Sequence, residues 1–167
     1  MGYRFGQLGS LLLFRWVDLI TEDDARNSLA DAYASLGQGV GPWVGIGIFP
    51  IPFTAPTSSV IGVFAQHLDD LCQKITSIHL VLEGDAKDTL PVQAFLSDAY
   101  KTVQKGELFI HTSFDEALIV MNSMGVNLQV PAPEVYTWAV DRGFLKDEEG
   151  KLAKAIPNPH RRGKGNA

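Results

Sequence analysis

The stretch WVGIGIFPIPFTAPTSSVIGVFAQHLDDLCQKI, residues 43–75, decides the fold. Its first seven residues read as a strand: Val44, Ile46 and Ile48 fall on one side, Gly45 and Gly47 on the other, by period-two alternation. A glycine-lined side lets another element approach the backbone closely. Pro50, Pro52 and Pro56 then remove backbone donors and fix φ, so the chain runs on as a loop. Thr57, Ser58 and Ser59 supply helix-capping side chains. After them Val60, Val63, Phe64, Leu68, Leu71 and Ile75 recur at helical spacing. Strand, loop and helix follow one another, which is the repeating unit of an α/β fold.

The same order holds on both sides of this stretch. SLLLFRWV (10–17) is short and apolar and predicts a strand ended by Asp18. Thr21 and Asp24 form a near capping box, and Glu22, Asp23 and Asp24 suit the positive end of a helix dipole. Ala25, Leu29, Ala32, Tyr33 and Leu36 then mark the core side of a helix that Gly37 and Gly39 end. SIHLVLEG (77–84) predicts a strand with Ile78, Leu80 and Leu82 on one face and His79, Val81 and Glu83 on the other. LPVQAFLSDAYKTVQKG predicts a helix with Pro91 early in it and Gly106 as its stop. ELFIHT (107–112) is a further strand. Ser113 caps the next helix, with Glu116 in the capping-box position and Gly125 closing it. YRFGQLGS, with Gly6 and Gly9 as turn residues, is expected to add a short strand paired to 10–17. The expected architecture is therefore α/β: a four- to five-stranded mixed, mostly parallel sheet with alternating helices. No internal repeat is present.

After Asn127 the character changes. Residues 1–127 read as one domain. Residues 128–167 read as a C-terminal extension with a helix at about 132–146 and a disordered basic tail, HRRGKGNA. Val135, Trp138 and Ala139 share one side of that helix. The extension is too small for its own core, so it is expected to dock on the main domain or on a second copy.

The chain has 167 residues and a net charge of −5, and 46% of it is hydrophobic, which suits a globular domain rather than a disordered one. The acidic excess lies entirely within 1–127, which argues against nucleic-acid binding. No apolar run approaches the ~20 residues that span a bilayer, and the first residues carry no signal-peptide pattern. The one cysteine, Cys72, excludes an internal disulfide and fits a cytoplasmic location. It falls on the apolar side of its helix and reads as a buried thiol.

The element order, the ITEDDA start of the first helix and the closing strand–Ser–FDEAL resemble the STAS domain over about residues 3–126. That family includes bacterial anti-sigma factor antagonists, and the looser STAS-like proteins are the better match. The resemblance implies a STAS-like fold and a non-catalytic regulatory role with a protein partner, kinase-like or otherwise regulatory. It puts Ser58 and Ser59 of APTSSVIG near the serine that antagonists have phosphorylated. Pro56 and Thr57 stand where the family has its acidic residue, and Val60 where it has glycine.

Two function classes follow. In the first, the 49–60 loop and the following helix start form a partner surface, with Phe49, Ile51 and Phe53 as apolar anchors or, alternatively, tucked inward over the core. Self-association into a homodimer, with the C-terminal segment exchanged, is a variant. In the second, a small-ligand-binding protein or enzyme uses a pocket below the loop with Trp16, Trp43, His79 and Glu83. His79, Glu83 and His111 would have to converge there, and their spacing matches no metal signature. No cofactor or metal is expected, and no nucleophile motif is present.

Overall fold

The computed structural model describes residues 2–39, 41–52, 54, 56–100 and 107–154. Five strands form one sheet in the order β1 (Tyr3–Leu8), β2 (Leu11–Trp16), β3 (Trp43–Pro50), β4 (Ile75–Glu83), β5 (Glu107–His111). β1 and β2 are an antiparallel hairpin, and the other pairs are parallel. Gly9, at φ +57°, makes the hairpin turn. Gly6 lies within β1 rather than in a turn: a Cβ there would stand 2.9 Å from both the Phe144 and Trp138 rings, so the glycine admits the C-terminal segment.

The helices are α1 (Glu22–Gln38), α2 (Ser58–Lys74), α3 (Ala86–Tyr100), α4 (Phe114–Ser123) and α5 (Ala132–Asp141). The strands run in sequence across the sheet, so right-handed crossovers put α1, α2 and α3 on one face. There Tyr3, Trp16, Ile20, Ala25, Leu29, Val60 and Val63 form one cluster. On the other face Leu11, Leu13, Val44, Ile46, Ile48 and Val81 pack under Phe114, Ala117 and Met121 of α4 and Val135 and Ala139 of α5. Cys72 is buried in α2.

The expected caps are made. Thr21 Oγ1 accepts from the Asp24 N–H while Asp24 accepts from the Thr21 N–H. Ser113 Oγ accepts from the Glu116 N–H at 3.1 Å. Gly125 adopts φ +72° beyond α4. Several boundaries differ from the sequence reading: Ile75, read into the second helix, caps its end and begins β4, two residues before the expected 77. Gly37 stays inside α1, which ends at Gln38 with Gly39 as its C-cap. α3 begins at Ala86, where the Asp85 carbonyl takes the Asp88 and Thr89 N–H groups, so Pro91 sits inside the helix rather than in its first turn. Gly106 lies outside the described residues.

The C-terminal segment docks on its own chain. α5 is shorter than the expected 132–146 helix because Gly143, at φ +70°, turns the chain and the Phe144 N–H returns to the Ala139 carbonyl. Phe144 and Leu145 then enter the core with Leu11 and Leu13. Arg4 Nη1 donates to the carbonyls of Gly143 and Ala153 at 2.9 and 2.6 Å. The HRRGKGNA tail lies outside the described residues. Among the described residues no helix is long and apolar enough to cross a membrane.

Candidate functional site

Period-two alternation in β2 and β4 sends Arg15, Ser77, His79, Val81 and Glu83 to the face under α4 and α5. Arg15 is 1% exposed, although it carries a full charge. Its Nη2 and Nη1 donate to Glu83 Oε2 and Oε1 at 2.7 and 3.2 Å, a two-pronged ion pair that spans β3. Nη1 also donates to the Phe144 carbonyl at 2.8 Å, tying the C-terminal segment to the sheet. Among the described residues Arg15 Nε has no acceptor.

Four residues back along β4, a second polar chain is closed. His79 Nδ1 lies 2.9 Å from His111 Nε2, and His79 Nε2 lies 3.1 Å from Ser77 Oγ. The two imidazoles are almost parallel, 10° apart, and His79 also stacks on Phe109. His79 is 0% and His111 4% exposed. Burial, and then the neighbouring His111, pushes the His79 pKa down to about 4. Burial also lowers that of His111, while the Glu116 carboxylate works in the opposite direction. Glu116 itself is held below the usual carboxylate range, first by the backbone N–H of Thr112 and then by its hydroxyl.

The structure thus brings His79 and His111 together, while Glu83 is bound to Arg15 instead. Ser77, His79 and His111 have the spacing of a nucleophile, base and orienting group, but Ser77 is 1% exposed and no reactant reaches it in this state. Trp16 and Trp43 do not join them. Both are buried in the clusters on the opposite face, so a single pocket holding Trp16, Trp43, His79 and Glu83 does not form. Among the described residues no group of three or more His, Cys, Asp or Glu could hold a metal ion. The sheet also lacks a reversal of strand order, the place where open α/β sheets take small ligands.

At the carboxyl end of the sheet the proline loop is pinned at its start. The Ile51 N–H donates to the Glu83 carbonyl at 2.6 Å, and a Cβ on Gly84 would run into the Ile51 carbonyl. Phe49 packs on Trp16 and Phe14, and Ile51 is buried, so these two tuck inward rather than stand out as anchors. Phe53 lies outside the described residues. Thr57, not a serine, caps α2: its side chain accepts from the Val60 N–H and hydrogen-bonds Ser59 Oγ at 2.9 Å. Ser58 and Ser59 are exposed. Sequence reasoning missed Val17, Leu19 and Ile61, at 38%, 48% and 46% exposure, on the loop before α1 and the first turn of α2. Their signal was weak: Val17 and Leu19 bracket Asp18, and Ile61 falls off the apolar side of its helix.

Comparison with family models, with curated proteins and with solved structures finds no match. The chain's reading therefore rests on its own residues.

Proposed function

We propose that this chain is a non-catalytic regulatory module of STAS-like build that binds a protein partner. Its contact surface is the end of the sheet where β2 and β3 run into α1 and α2. The observation that carries this is the placing of Val17, Leu19 and Ile61, three of the seven exposed large hydrophobics among the described residues, at that end. Scattered apolar residues on a surface are ordinary, but Val17 and Leu19 lie just past the end of β2 and Ile61 in the first turn of α2, at the end of the sheet where Phe49 and Ile51 pack inward. Ser58 and Ser59 stand on the same surface, so phosphorylation of either would put a double negative charge into it. Asp18, Glu22 and Asp23 are exposed nearby and favour a partner with basic groups around an apolar contact.

The test is affinity capture from native extract with the full chain, comparing wild type with Leu19→Asp and Ile61→Asp. Thermal melts check that the variants fold. The expected result is a partner retained by wild type and lost by folded variants. Recovery of the same partners by all three proteins would place the interface elsewhere.

A further inference from the structure

A second feature, remote from that surface, has a chemistry of its own. The rings of His79 and His111 meet through Nδ1 and Nε2 at 2.9 Å, a contact with room for one proton. The opposite nitrogen of His79 faces Ser77 Oγ, which can either donate or accept. With both rings neutral and in complementary tautomers, one ring donates to the other. With one ring cationic, the ring-to-ring bond survives and becomes charge-assisted, and the Ser77 hydroxyl turns to suit. With both rings cationic, an N–H on each ring points at the other, and the contact fails.

We propose that the His79–His111 pair is a two-proton acid switch for the docking of α4: the first proton leaves the pair bonded, and the second drives the rings apart. The fold gives the pair its leverage. His111 is the last residue of β5, and Thr112 and Ser113 lead directly from it into α4. Thr112 donates through its N–H and hydroxyl to Glu116 Oε2, and Ser113 caps the helix. A displaced His111 ring therefore pulls on the start of α4, whose Ala117 and Met121 are fully buried beneath it. Among the described residues, the charged groups on β4, β5 and α4 are Glu83, Glu107, Asp115 and Glu116, with Arg15 of β2 on the same face. Glu83 is bound to Arg15, and Glu116 is the one that acts on His111, favouring the first proton there. Coupled rings of this kind titrate as a pair, in two steps that both nitrogens sense.

The test is an acid titration of the full chain by NMR, following the imidazole nitrogens and the backbone amides together. Both rings are expected to report two separate steps. The Ala117 and Met121 amides should hold through the first step and shift in the second. Glu116→Gln keeps the cap acceptor and removes its charge, so the first step should move to lower pH with the second unmoved. In His111→Asn one cation is gone, and the α4 amides should no longer shift ahead of the strands. One step for both rings near the ordinary histidine value would overturn the proposal, as would α4 amides that move with the first proton. Loss of the Leu13 and Ile46 amides at the same pH as those of α4 would also overturn it, because α4 docking would then be no separate event.

Discussion

On the face under α1 and α2 the sheet presents Phe14, Trp16, Trp43 and Phe49, and the helices answer with Leu29, Val60 and Val63. On the face under α4 and α5 it presents aliphatic residues at Leu11, Leu13, Ile46 and Ile48, but sets among them Arg15 with Glu83 and His79 with His111. The first face is held mainly by area and shape, which tolerate repacking, beside the buried hydrogen bond from Tyr3 to Asp31. The second also depends on pairings that fail if one member is lost, because a buried unpaired group keeps its full desolvation penalty. The faces should therefore respond differently to substitutions of similar size and to acid.

The sharpest separation is expected at the ion pair. Glu83→Ala leaves Arg15 charged under Phe144, and loss of one partner of a buried pair removes about 3–5 kcal/mol. Glu83 keeps some solvent contact, so the lower part of that range is expected. At about 2–4 °C per kcal/mol the fall in Tm should reach roughly 6–12 °C. Replacing both partners, as Arg15→Met with Glu83→Leu, should recover most of it. A double variant no more stable than Glu83→Ala would show that the pair is not what makes this face brittle.

Acid comes next. His79 is held down at about 4 in the fold against the ordinary 6.5, so the unfolded chain binds its proton first. Its contribution to stability is whole above pH 6.5 and is lost as pH falls through about 4, for a total of about 3 kcal/mol. Denaturant melts of wild type and His79→Gln across that range check it. The wild-type curve should fall more steeply, and parallel curves would refute the assignment. The smallest effect belongs to the aromatic face: Leu29→Met, a swap of similar volume, should cost under about 1.5 kcal/mol with no change in pH dependence.

The elements were legible in the sequence because each carries a local signal. Thr21 with Asp24 and Ser113 with Glu116 announce their helices within four residues, and Gly9 and Gly125 need a positive φ that glycine supplies. Pro91 misled because a proline in a helix suggests a first turn, while the true start is set by the Asp85 carbonyl. The site was legible only in part. Alternation placed His79, Val81 and Glu83 on one face, but the meeting with His111 depends on the β4–β5 register, in which Val81 stands opposite His111. Arg15 read as an interruption of an apolar strand. Its partner lies two strands and 68 positions away, a distance no local pattern spans. Phe49 and Ile51 could equally have faced out, because alternation stops counting where the prolines begin.

The bond from Arg15 to the Phe144 carbonyl joins residues 129 positions apart. A chain emerging from the ribosome has made every strand of the sheet well before Phe144 appears. Until then Leu11, Leu13 and the Arg15 guanidinium lack the segment that covers them. The nascent protein must wait with one face of its sheet incompletely covered, which exposes it to chaperones, proteases and its own neighbours on the polysome. Closure of that face is thus timed by translation of the last part of the fold.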